Sequence, residues 1–518
     1  MYITSGLHRS LQRHPGKIAT VNGDRRQTFA ELTERVSKTA SALRALGFNA
    51  GDRLAIVSQN SDRMIELLLA CWWSGLVIQP VNTRWTPSEM GYAINDSGAR
   101  AVATCAKMLN IVRAIDLDMP RLDWRLYLDD DQEPDGYIML NKLTNSSDQM
   151  EDLRCNADEL AAIVYTGGTT GTPKGVMLSH GNFWSSLVGR MVEVPSASDS
   201  VTLLTSPLFH VAGLSRLILQ ILVGGTSVTL PGFQPQHVIS LIKQEDVHDL
   251  MLVPSMLQML MNTENFHPGY IPSLKRIFWG AAPIALPLLK EALARFPTVE
   301  FVHSYAMTET AASVSVLPIK NHPSFIQSKR VGSVGRGTLS SEIRIVNENS
   351  ETVSCGTNGE ILLRGPGIMQ GYWRRPVDTE KAYLDGWLRT GDVGYLDEEG
   401  YLFVTGRLKD MIISGGENIY PAEVESAICS HPSVSQCAVI GVPHEKWGES
   451  VHAVIVLKAG MTVSEEILLD HCRHLLSRFK CPRSFKFEDS LPLTAAGKVD
   501  KKFLRASYQP IQKPNQTP

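Results

Sequence analysis

Residues 165–176, YTGGTTGTPKGV, place four glycines, four threonines and one lysine within twelve positions. That mixture suits an anion. Glycines let backbone N–H groups converge, the hydroxyls of Thr166, Thr169, Thr170 and Thr172 add donors, and Lys174 adds a charge. A P-loop of the Walker type needs G-x-x-x-x-G-K-[ST] feeding a helix, whereas here Pro173 stands in place of the second glycine and Gly175 follows the lysine. Phosphate binding survives this test and the P-loop NTPase reading does not; a plain glycine-rich linker is the bland alternative. Three further residues could do chemistry: Glu309 in YAMTET, Asp392 in WLRTGD and Lys498 in PLTAAGKVDK. Taken singly they read as a helix-terminal acid, a turn residue and a surface lysine.

The loop needs a frame. The apolar run AAIVYT enters it and GVMLSH leaves it, which predicts a hairpin. Residues 29–46 put Phe29, Leu32, Val36, Leu43 and Leu46 on one helical stripe stopped by Gly47. The stretch 67–81 is too short for a bilayer, is broken by Ser74, Gly75, Gln79 and Pro80, and reads as core helix, turn and buried strand. Apolar runs at 53–60, 99–104, 200–206, 249–255 and 276–282 alternate with helical stretches, predicting an α/β fold. From Val331 the texture changes to short antiparallel strands, and a compact unit with βαβ-like alternation begins near residue 408.

With 518 residues, 43% hydrophobic, 20% charged and a net charge of −3, the chain has the composition of an ordinary soluble enzyme of more than one domain. No basic tract or zinc-finger spacing calls for nucleic acid. Eight scattered cysteines without a CxxC pair, and an N-terminus without an apolar signal core, predict free thiols in the cytoplasm. The acidic run at 129–136 lacks EF-hand spacing, and His471 with His474 has no second ligand cluster, so both read as solvated surface.

Taken together, seven stretches in order carry a resemblance: the 165–176 loop with PLFHVAGL (207–214), GAAP (280–283), YAMTET (305–310), WLRTGD (387–392), GRLKDMIISGGENIYPAEVE (406–425) and PLTAAGKVDK (492–501). The sequence resembles the adenylate-forming superfamily of acyl-CoA synthetases, peptide-synthetase adenylation domains and firefly luciferase. It especially resembles the bacterial acyl-CoA ligase branch that includes 4-chlorobenzoate-CoA ligase. The resemblance implies a large N-terminal domain (1–408) of α/β layers with a β-rich subdomain, and a small mobile α+β domain (409–518) turning on a hinge at Lys409.

It also implies roles. Thr166, Gly167, Gly168, Thr169, Thr170, Gly171, Thr172 and Lys174 would hold the β- and γ-phosphates of ATP. Thr308 and Glu309 would position the α-phosphate and Mg²⁺, with Glu309 the metal ligand. Tyr305 would stack on adenine beside Gly280, Ala281 and Ala282; Asp392, supported by Arg407, would accept from the ribose. Lys498 would bridge acid and nucleotide, and His210 would lie near the acyl carboxylate or serve as a buried structural histidine. Gly415 and Gly416 would let pantetheine pass, while Arg84, Trp447, Phe479 and Lys480 would receive the CoA nucleotide. Three positions depart from the pattern: Gly167 replaces a serine, Ala306 a glycine, and Cys481 a basic residue.

The implied reaction joins a carboxylic acid to CoA through an acyl-adenylate, releasing pyrophosphate and then AMP. Phe183, Trp184, His210, Val211, Leu214 and Trp279 predict an acid pocket for an aryl or medium-chain group. The alternative is transfer to a carrier-protein thiol; amino acid activation is disfavoured because Phe209-His210-Val211 offers no carboxylate to a substrate ammonium. The expected partners are the acid, ATP and CoA, with a homodimer as the expected assembly and neither nucleic acid nor a transmembrane segment involved.

Overall fold

The computed structural model describes residues 1–116, 122–167, 172–264, 266–280, 282, 284, 286–319, 328–415, 417–493 and 499–508. It is a mixed α/β protein with a large N-terminal and a smaller C-terminal part. Two compact units emerge, one of Met1–Ala281, Arg295–Ile343 and Leu363–Leu388, the other of Ala282–Ala294, Arg344–Leu362 and Arg389–Pro518.

In the first unit the apolar runs become strands. Val201–Leu204, Asp249–Leu252, Arg276–Gly280 and Glu300–Tyr305 lie side by side in parallel within a nine-stranded sheet, and Ser315–Ile319 adds antiparallel to the last of them. A second sheet of eight strands sets Arg53–Val57 between Val77–Pro80 and Ala101–Thr104, again parallel. Continuous burial along these strands explains why they read as unbroken apolar runs rather than alternating ones. The predicted hairpin is present: Leu160–Thr166 pairs antiparallel with Lys174–Ser179, and the last matched residues are Thr166 and Lys174.

The helix Phe29–Ala45 starts at a capping box between Thr28 and Glu31 and buries Phe29, Leu32, Val36 and Leu43 completely. Each such side chain contributes about 1.5–3 kcal/mol on burial. The stretch 67–81 resolves into the helix Asp62–Trp73, a turn at Gly75 (φ +75°) and the strand Val77–Pro80. Among the described residues no helix is long and apolar enough to cross a membrane.

In the second unit residues 392–396 pair antiparallel with 402–407. A further sheet holds Ile412–Ser414, Glu417–Ile419, Val434–His444, Gly448–Leu457 and Ser484–Phe487. The anticipated crossover is there: Gly448–Leu457 runs through the helix Glu465–Leu475 to Ser484–Phe487, its parallel neighbour. Ile419, Val424, Ile428, Val439, Ala453, Ile455 and Leu468 form the core beneath it. Cys481 packs into that core rather than presenting a polar face, consistent with its burial raising the thiol pKa.

Candidate active site

One tyrosine links the outgoing strand of the glycine-threonine loop to Glu309. The short strand Gly371–Tyr372 pairs with Lys174–Ser179, placing Tyr372 opposite Val176. Its hydroxyl donates to Glu309 Oε1 at 2.8 Å, and Lys174 Nζ stands 5.2 Å from the centre of its ring. Burial, then the neighbouring Glu309 carboxylate, pushes the phenol well above its ordinary pKa, so it remains a donor. Lys174 in turn meets Asp378 at 3.1 Å. Thus Glu309 and Lys174, far apart in sequence, are joined through Tyr372.

Glu309 itself sits in a single 3₁₀ turn, Thr308–Thr310, directly after the strand that ends at Tyr305, and is 8% exposed. The turn closes sharply. Ala311 has φ +58° and ψ −38°, and the Ala312 N–H donates to Thr310 O at 2.6 Å across it, a γ-turn in the strained sense for an L-residue. Ser186 from the neighbouring helix donates to the same Thr310 carbonyl at 3.2 Å.

The adenine candidates lie at strand ends. Gly280 terminates Arg276–Gly280, and a Cβ there would stand 2.5 Å from Ser304 O, so no larger residue fits that strand contact. One residue earlier, Trp279 is fully buried and stacks on His303 at 4.6 Å and 14°, the two being register partners on adjacent parallel strands. Burial holds the His303 imidazole neutral, its pKa down to about 4, and a nitrogen of the ring lies 3.1 Å from Ser333 O. That carbonyl can only accept, so Nδ1 carries the proton. The Trp279 Nε1 has no hydrogen-bond partner among the described residues. Phe183, Val211 and Leu214 are buried and Trp184 partly so. His210, half-buried, caps the helix Val211–Val223, its Nδ1 accepting from Ala212 N at 3.2 Å.

Asp392 and Arg407 of the second unit face each other across the antiparallel pair, with Arg407 Nε 2.7 Å from Asp392 Oδ1. Asp392 is only 4% exposed and its backbone N–H donates to Thr390 Oγ1 at 3.0 Å. Lys409 follows in the 3₁₀ turn Leu408–Asp410 and falls within this second unit; burial, with Arg407 nearby, lowers its amine pKa. Gly415 (φ +63°) donates its N–H to Trp447 O at 2.9 Å. Cationic groups flank that indole, Lys446 Nζ at 4.8 Å and Arg483 at 5.0 Å from the ring. Phe479 is exposed, whereas Lys480 is engaged by both oxygens of Glu423 at 2.8 Å. The Arg84 N–H donates to Asn82 Oδ1 at 3.0 Å.

Gly168, Thr169, Thr170, Gly171, Ala281, Gly416 and Lys498 lie outside the described residues. Sequence reasoning missed Tyr372 and Asp378. The signal was present in GYWRRPVDTEK, an aromatic and an acid framing a proline-started helix, but nothing local ties that segment to a loop some two hundred positions earlier. Among the described residues no group of three or more His, Cys, Asp or Glu could hold a resident metal ion.

The AMP-binding enzyme family matches residues 7–373, and the AMP-binding enzyme C-terminal domain matches 423–498. Among curated relatives, a feruloyl-CoA synthase of Amycolatopsis sp is 37% identical over 96% of this chain and 98% of its own. Among solved structures, the o-succinylbenzoate CoA synthetase of Bacillus subtilis with its acyl-adenylate intermediate is 33% identical, covers 98% of both chains and has a TM-score of 0.84. ATP-bound MatB from Rhodopseudomonas palustris is 32% identical over 99% of this chain and 100% of its own, with a TM-score of 0.88. The chain therefore belongs to the AMP-binding enzyme family and is an ATP-dependent acid–thiol ligase of the adenylate-forming superfamily.

Proposed function

We propose that the protein activates an aryl or medium-chain carboxylic acid with ATP and transfers the acyl group to CoA. A carboxylate is a poor acyl donor because its leaving group would be oxide. In the first half-reaction its oxygen attacks the α-phosphorus and pyrophosphate departs; in the second, the CoA sulfur attacks the acyl carbonyl and AMP departs. The obstacle to the first step is the approach of two anions, so fixed cations and donors must meet the developing charge. The observation that carries this reading is the joining of Glu309 to Lys174 of the glycine-threonine loop through Tyr372.

In this reading residues 166–174 hold the β- and γ-phosphates, and Thr308 and Lys498 meet the α-phosphate and the acid. Tyr305, Gly280, Ala281 and Ala282 receive adenine, while Asp392 with Arg407 receives the ribose. Glu309 would hold Mg²⁺: that ion takes one or two carboxylates and completes its shell with phosphates and water, which a single buried carboxylate fits. When bound, the ion would neutralise phosphate charge. Gly415, Gly416, Trp447, Arg84, Phe479 and Lys480 serve the CoA arm, and residues 409–518 turn about Lys409 between the half-reactions.

An aryl acid is favoured by relatives named for feruloyl and succinylbenzoyl groups. We place the reaction in the cytoplasm, where eight free cysteines suit the reducing environment. The test is a panel of acetate, octanoate, palmitate, benzoate and cinnamate, scored by ATP–pyrophosphate exchange and then by CoA-dependent AMP release. Benzoate or cinnamate and octanoate should outperform acetate and palmitate. Formation of ADP overturns the mechanism, and thioester formation on a carrier protein but not on CoA establishes the alternative thiol.

A further inference from the structure

Arg375 occupies a place that none of the roles above assigns. The backbone ladder between Gly371–Tyr372 and the outgoing strand of the loop continues one step further, where Trp373 N donates to Gly175 O at 2.8 Å. The chain then reverses. Arg374 takes φ +53° and Arg375 N donates back to Tyr372 O at 3.1 Å, a turn that brings the Arg375 side chain to Thr172. Its Nη2 donates to Tyr92 Oη at 2.7 Å and to Thr172 Oγ1 at 3.4 Å.

Both of these acceptors are hydroxyls. The two nearest carboxylates are committed elsewhere, Asp378 to Lys174 at 3.1 Å and Asp96 to the Tyr165 hydroxyl at 2.6 Å. Among the described residues no carboxylate makes an ion pair with Arg375. The end of the loop therefore carries two cations of different status: Lys174 is ion-paired to Asp378, whereas Arg375 feels Asp96 and Asp378 only at longer range and is held by hydroxyls. A guanidinium has five N–H donors in a planar fork that matches phosphate oxygens two at a time, and here the Nε and Nη1 donors are not used by Tyr92 or Thr172.

We propose that Arg375 binds the β- and γ-phosphates of ATP and the departing pyrophosphate, holding them by its fork while Tyr92 and Thr172 fix its plane. This rests on reading residues 166–174 as the triphosphate cradle. Charge on pyrophosphate grows as the P–O bond to the α-phosphate breaks, so a cation at this end eases departure as well as binding.

The experiment compares Arg375→Gln, Arg375→Lys and Lys174→Ala in both directions of the first half-reaction, using ATP with acid, and pyrophosphate with synthetic acyl-AMP. Arg375→Gln should raise the KM for ATP and for pyrophosphate roughly tenfold or more, since a hydrogen bond to a charged partner is at stake. The KM for the acid, and thioester formation from supplied acyl-AMP and CoA, should be unchanged. Arg375→Lys should recover only part of the loss, because an ammonium restores charge without the fork. If Lys174→Ala raises both constants and Arg375→Gln raises neither, the assignment of Arg375 is overturned and the cradle stands. If neither variant raises them, the cradle falls and the proposal with it. A rise in every constant together with a lowered Tm would mark Arg375 as a structural tie and overturn it as well.

Discussion

Trp447 lies against Gly415 so closely that a Cβ on the glycine would stand 2.7 Å from the Trp447 Cε3. The φ of +63° already disfavours any side chain there, and the ring closes the remaining space.

Gly415→Leu should therefore abolish thioester formation while adenylation persists, the side chain displacing Trp447 and narrowing the CoA arm. Lys498→Ala should do the opposite, cutting adenylation about a hundredfold or more yet still converting synthetic acyl-AMP and CoA near the normal rate. Both half-reactions are measured on both variants, with circular dichroism for folding. Parallel loss in all four assays would show that the two faces are misassigned.

Asp392→Asn should raise the KM for ATP roughly tenfold with little change in kcat, because a ribose hydroxyl would lose its charged acceptor. Arg407→Met removes the ion pair at the buried Asp392 carboxylate, and a loss of about 2 kcal/mol in urea unfolding is expected, the value for fully buried pairs being reduced because Arg407 is partly exposed. Unaltered ATP kinetics in Asp392→Asn would remove the ribose assignment.

Stability should fall in mild acid, and His303 should account for part of the slope. Its folded pKa, about 4, lies below the ordinary value of 6.5 because burial penalises the imidazolium. Between these values the unfolded chain binds a proton that the folded chain refuses. The contribution is complete above pH 6.5 and is lost as the pH drops toward 4, by up to about 3 kcal/mol. His180, also depressed to about 4 by burial, acts in the same direction. Urea midpoints from pH 7 to 4.5 should decline less steeply in His303→Gln; identical slopes would rule out a neutral buried His303.

Lys409→Pro should keep ATP–pyrophosphate exchange and lose CoA-dependent AMP release, since proline fixes φ near −65° where the rotation is assigned. Wild-type rates in both steps would move the hinge elsewhere.

What is legible in the sequence follows the range over which the causes act. The hairpin around residues 166 and 174 was legible because its two apolar runs and its breakers are neighbours in the chain. The parallel strands were legible because double-sided burial leaves continuous apolar runs. The stacking of Trp279 on His303 was not, since it depends on the register between strands joined through a helix. Tyr372 escaped for the same reason: its partner Glu309 is brought to it by two different sheets. His210 was legible only as an ambiguity, because a single histidine ahead of an apolar helix suits either role, and its capping bond emerges only in the fold.

The turn behind Glu309 gives the site a particular fragility. Ala311 holds a backbone conformation that costs on the order of 1–3 kcal/mol, and it can do so only while its surroundings leave no alternative. Those surroundings include Ser186, whose hydroxyl clasps the Thr310 carbonyl from a separate helix. Loosening that clasp would let the turn relax, recovering some of the stored energy as it carries the Glu309 carboxylate off position. Activity and stability should therefore part company here: Ser186→Ala is expected to leave the melting temperature nearly constant while slowing adenylation, so drift in the scaffold would register first as lost turnover and only later as lost fold.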